Sequence, residues 1–84
     1  MTLTEKQREI LNILLKGNPD GSWVDMDQLL DRLSYETSKP SIQYSVRTLM
    51  KKKLMERKDL EFRRGAWRRV LAPTIKAYEL LRGA

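Results

Sequence analysis

Apolar positions Leu3, Ile10, Leu11, Leu14 and Leu15 recur at intervals that place them on one side of a helix. Thr4 and Gln7 have capping-box spacing, and Gly17 is placed to close the helix in a left-handed turn, so a first helix is expected over Thr4 to Gly17. Asn18-Pro19-Asp20-Gly21 reads as a turn, and Ser22-Trp23-Val24 has room for only a brief extended piece. A second capping box, Asp25 with Gln28, opens a short helix whose buried stripe is Met26, Leu29, Leu30 and Leu33.

After the linker Ser34-Tyr35-Glu36-Thr37, Ser38 is a good N-cap and Pro40 falls in a first turn, where its missing N–H costs little. Ile42, Val46 and Leu49 then recur at i, i+4 and i+7, the core side of a third helix. Its opposite side carries Lys39, Ser41, Gln43, Tyr44, Arg47 and Lys51, with Ser38 at its start, and no acid occurs from Lys39 through Leu54. Leu54 to Phe62 and Ala66 to Leu71 read as two strands joined at Arg64-Gly65, with a bulge expected near Asp59. Pro73 and Thr74 start a last helix, Ile75 to Leu81, with Ile75, Tyr78 and Leu81 expected to face inward and Gly83 to stop it.

The chain has 84 residues, enough for one small domain, so a single unit over 1–84 is expected. Charge is unevenly divided. Residues 1–38 carry four basic and seven acidic side chains, a net of −3, whereas residues 39–84 carry thirteen and four, a net of +9. A basic half on a small domain points to a polyanionic partner. Cysteine and histidine are both missing from the sequence, which excludes disulfides, thiolate zinc sites and nucleophiles of those types. The spacing of Asp25, Asp27 and Asp31 brings a metal to mind, but Asp25 and Asp27 suit the positive end of a helix dipole. Neither an enzyme nor a metal or other cofactor is expected. With no apolar run of bilayer length and no signal peptide, a soluble cytoplasmic protein without membrane association is expected.

The resulting fold class is mainly α with a small β-hairpin, in the order helix-strand-helix-helix-strand-strand-helix, which a winged helix-turn-helix requires. The segment SKPSIQYSVRTLMKKKLMER, Ser38 to Arg57, resembles the recognition helix and following strand of bacterial winged-helix regulators, with Lys53 where they usually have glycine. LTEKQREIL is similar to the opening of LexA-type DNA-binding domains, and LAPTIKAYELL resembles the strand-to-helix exit of MarR-like domains. Neither subfamily is assigned.

That resemblance implies a double-stranded DNA-binding protein of transcription control, prokaryotic, archaeal or viral. Its recognition helix, 39–52, would lie in the major groove, and a basic wing, 62–70, on the backbone or in the minor groove. Ser38, Lys39, Ser41, Gln43, Tyr44, Arg47 and Lys51 are the expected contacts from the helix, Arg47 suiting guanine and Gln43 adenine. Arg63, Arg64, Arg68 and Arg69 are the expected contacts from the wing. Trp67 has two readings, a core residue at the wing's base or a ring leaning on a sugar beside the arginines. A homodimer on a palindrome is one expected assembly. The alternative function is a protein-interaction module in a transcription, replication or recombination complex, which would expose apolar residues on the third helix or the wing. Both surfaces are expected to be basic, favouring DNA.

Overall fold

The computed structural model describes residues 2–82. Three helices come first, α1 (Glu5–Lys16), α2 (Met26–Arg32) and α3 (Lys39–Lys51). Four short strands follow, β1 (Met55–Arg57), β2 (Glu61–Arg63), β3 (Ala66–Arg68) and β4 (Leu71–Pro73), and then α4 (Ile75–Arg82). The stop expected at Gly83 lies outside the described residues.

Both capping boxes form as the spacing predicts. The Thr4 hydroxyl accepts from the Gln7 backbone and the Asp25 carboxylate from the Gln28 backbone, each answered by the glutamine side chain. Asn18–Gly21 is a tight turn closed by a bond from the Gly21 N–H to the Asn18 carbonyl. The extended piece after it is reduced to one bridge, Asp25 to Val70, with bonds from the Leu71 N–H to Val24 and from the Met26 N–H to Arg69. This places the start of α2 against the base of the wing.

The end of α3 accounts for Lys53. The Leu54 N–H bonds the Leu49 carbonyl and the Lys53 N–H bonds that of Met50, both at 3.0 Å. That paired pattern closes a helix when the residue after its cap is left-handed, and Lys53 has φ 64°. Lysine thus fills the conformation glycine takes most cheaply, and the tight turn survives.

The hairpin consists of two ladders. β1 pairs with β4 from Met55↔Pro73 to Arg57↔Leu71, and β2 pairs with β3 from Glu61↔Arg68 to Arg63↔Ala66. Between them Lys58, Asp59 and Leu60 lie opposite only Arg69 and Val70, so the extra residue falls where the bulge near Asp59 is expected. At the tip, Arg64 and Gly65 have φ of 53° and 80°, the two left-handed positions of a type I′ turn, whose twist matches the strands.

Leu3, Ile10, Leu11, Leu14, Val24, Leu29, Ile42, Val46, Leu49, Leu54, Met55, Leu71 and Ala77 form one buried cluster. The three expected core positions of α3 are all in it. On α4 the expectation is corrected. Ile75 is 78% exposed and Tyr78 is exposed, while Ala77 is buried and Leu80 and Leu81 pack partly against the core. The helix is rotated so that its smallest side chain meets the body, which allows close approach.

Candidate nucleic-acid interface

Because Ile42, Val46 and Leu49 fix the inner side of α3, its polar residues are carried on two outer flanks. Lys39, Gln43 and Arg47, one helical turn apart, face the wing across a cleft. Ser41, Tyr44 and Lys51 are exposed on the other flank, and Ser38 caps the helix by accepting from the Ser41 backbone N–H. Lys39 also reaches Asp27 at 3.3 Å, an exposed pair that contributes little energy.

The wing arginines behave differently. Strand alternation places Glu61, Arg63, Ala66 and Arg68 on one face of the β2–β3 hairpin and Phe62 with Trp67 on the other. The charged face turns inward onto α2. Arg64 donates to both oxygens of Asp25 at 3.0 and 2.8 Å. Arg63, its side chain only 14% exposed, donates to the Trp23 carbonyl at 2.8 Å and grips Glu61, while lying 3.5 Å from Asp25. Arg68 binds Asp27 and donates back to the carbonyls of Arg63 and Arg64, bracing the turn from inside.

Asp25 is 0% exposed. Burial pushes its carboxyl up, but the Gln28 backbone N–H and the guanidinium groups of Arg64 and Arg63 outweigh that, so it ionises below the usual carboxylate range. Asp27 is also lowered, first by Arg68 and then by Lys39. Each carboxylate therefore holds the wing from within α2 or its cap. The sequence signal was the two acids themselves, explained by the helix dipole alone until their partners are known.

This corrects the expected basic wing. Three of its four arginines are engaged within the chain, whereas Arg69 pairs with no carboxylate among the described residues. Trp67 is not a core residue. It is 68% exposed and meets Phe62, itself 62% exposed, edge to face at 5.5 Å between ring centroids. Two large aromatic rings thus occupy the face where charge was expected. The two-residue turn would have identified this pair in advance, because it sets Phe62 opposite Trp67.

Between α3 and the β3 edge of the wing lies a cleft of about 410 Å³. Gln43, Val46, Arg47 and Met50 form one wall, and Leu60, Trp67 and Arg69 with Arg57 form the other. Arg57 and Leu60 were missed as site residues because their place opposite α3 depends on how the wing packs against that helix, which spacing along the chain does not show. Asp27 is the one acid lining the cleft, and it is bound by Arg68 and Lys39. No helix among the described residues is long and apolar enough to cross a membrane.

The fold superimposes on that of a single-residue mutant of S. aureus MepR with a TM-score of 0.76, at 21% sequence identity and over 96% of this chain. The chain spans 54% of that structure. Likeness at this identity establishes the winged-helix architecture. No family model matches the sequence, and no curated protein matches it.

Proposed function

We propose that the chain is a double-stranded DNA-binding winged-helix domain acting in transcription control. The supporting observation is the outer face of α3, where Lys39, Gln43, Tyr44, Arg47 and Lys51 stand without one acidic neighbour on the helix. An α-helix fits the major groove, where Arg47 can pair with guanine and Gln43 with adenine. Ser38, Ser41 and Tyr44 add hydrogen-bonding groups, and Lys51, Arg57 and Arg69 add cations for phosphates. Arg63, Arg64 and Arg68 have a positioning role in this reading, holding the hairpin at a set distance from α3.

The regulatory part of the proposal draws on MepR, itself a transcription regulator. A second copy joined through α1 or α4 would place two such helices on a palindrome and widen the footprint of a small module. Amide NMR shifts on adding a mixed-sequence duplex at two salt concentrations test the reading. Shifts are expected in residues 38–51 and at 57 and 67–69. Binding through roughly six phosphate contacts should weaken about a thousandfold between roughly 50 and 200 mM salt. Shifts confined to α1, or a flat salt response, would remove the proposal.

A second reading, a module that docks on a transcription or replication protein, is favoured by the exposed Phe62 and Trp67, since apolar wing residues suit a protein partner. It predicts a salt-insensitive partner surface centred on the wing and leaves α3 unshifted.

A further inference from the structure

The wing's inverted faces call for a ligand that ordinary duplex DNA does not supply. A paired duplex offers base edges in its grooves and hides base faces in its stack. Trp67 nevertheless presents its indole to solvent, steadied by the edge contact with Phe62, at the rim of the cleft to α3. Leu60 stands beside it, also exposed, and half-buried Met50 forms an apolar patch on the opposite wall. Around this apolar strip are Arg47, Arg57 and Arg69, none paired with a carboxylate among the described residues. Gln43 brings one amide into the same space.

An aromatic ring set among unpaired guanidinium groups is the combination that holds an unpaired nucleotide, with the base on the ring and phosphates on the cations. A peptide partner would use the indole but would also need acidic side chains to match all three of those cations, which the phosphates of a nucleic acid supply by themselves. We infer that the α3–wing cleft binds one unpaired nucleotide of DNA, stacking its base on Trp67 while Arg57 and Arg69 hold its flanking phosphates and Gln43 meets its edge. This rests on the DNA-binding reading and refines it: the preferred substrate is a duplex interrupted by an unpaired base, or ending in a short single strand.

The engagement of Arg63, Arg64 and Arg68 is part of the argument. By tying the charged face of the hairpin to Asp25 and Asp27, they keep the aromatic face outward and the cleft open. An indole on a rigid hairpin loses less freedom on stacking than one on a mobile loop.

The test uses the full chain and three labelled DNAs of one sequence: fully paired, carrying one unpaired base, and carrying an abasic residue at that position. Fluorescence anisotropy should show the unpaired base raising affinity about tenfold over the paired duplex, within the usual range for one stacked base. The abasic residue should abolish the gain. In a Trp23→Phe background, which leaves Trp67 as the one indole, the unpaired base should quench its emission and the abasic DNA should not. Trp67→Ala should erase the preference, so that the paired and unpaired DNAs bind equally, and Trp67→Tyr should keep most of it. Equal affinity for the paired and unpaired DNAs, or an unchanged gain with the abasic residue, would overturn the inference, whether or not the alanine variant folds. A preference that survives Trp67→Ala in a protein with an unchanged melting curve would also overturn it and leave the aromatic pair to a protein partner. Failure to bind any of the three DNAs would instead refute the DNA-binding reading.

Discussion

α3 and the wing carry similar charge in the sequence and use it in opposite ways. On α3 the cations Arg47 and Lys51 point outward from a helix whose inner side is fixed by three buried aliphatic residues. On the wing, Arg63, Arg64 and Arg68 point inward to three carboxylates, and the outward face is aromatic. Helix α3 can leave its charge exposed because apolar burial already holds it in place. A hairpin of three-residue strands has little apolar surface to bury, and charge-assisted bonds must fix it instead. A count of basic residues by segment cannot separate these cases.

The largest effect is expected where the wing is tied down. Asp25→Ala removes the carboxylate that Arg63 and Arg64 share and the N-cap of α2, so a loss of about 2–4 kcal/mol is expected in urea unfolding. Asp25→Asn keeps a capping oxygen and should lose less. If the two variants were equally destabilised, the charge would account for the loss and the cap would contribute little.

The next pair sets one arginine of each region side by side. Arg64→Ala removes both bonds to a buried carboxylate and should cost about 1.5–3 kcal/mol of stability with little change in duplex affinity. Arg47→Ala should do the reverse. Stability should stay within about 0.5 kcal/mol, while discrimination at one base pair drops by about 1–3 kcal/mol. Isothermal titration against matched and mismatched duplexes separates the two. Equal losses of affinity from both variants would erase the distinction between positioning and contact.

Acid should loosen the wing before α3. Asp25 and Asp27 both titrate below the ordinary aspartate value in the folded chain, so between their folded and unfolded values the unfolded state binds more protons and stability rises with pH. Their contribution is complete above the ordinary value and is lost as pH falls through the folded ones. Trp67 emission in a Trp23→Phe background should therefore change on acidification ahead of the helical circular dichroism signal. Asp25→Asn should reduce the acid slope of the urea midpoint.

The parts of the fold that depend on neighbours close in sequence were legible. Both capping boxes, the Asn18–Gly21 turn, the α3 core triad and the bulge near Asp59 could be read from spacing. What was hidden depends on partners roughly forty residues apart: Asp25 with Arg64 and Asp27 with Arg68. Alternation says that Arg63 and Trp67 point to opposite faces, but only the position of α2 says which face is covered. Ile75 and Tyr78 were misassigned for a related reason. Large apolar residues at helical spacing suggest an inner face, and here the closeness of α4 to the core selects Ala77 instead.

The smallest expected effect lies at the joint between the two regions. Lys53 adopts φ 64° so that Leu54 can turn back onto Leu49, and its carbonyl accepts from the Thr74 hydroxyl at 2.7 Å. A left-handed lysine costs roughly 1–2 kcal/mol over a right-handed one, while glycine adds up to about 1 kcal/mol of freedom to the unfolded chain. Lys53→Gly should therefore stabilise by about 0.5 kcal/mol, a small upward shift in Tm. Lys53→Ala removes the same charge beside Lys51 and Lys52 but keeps the strain, so it isolates the electrostatic part. A gain with glycine and none with alanine places the cost in the backbone. Equal gains from both would place it in repulsion among the three lysines, and the turn from α3 into the wing would then be unstrained.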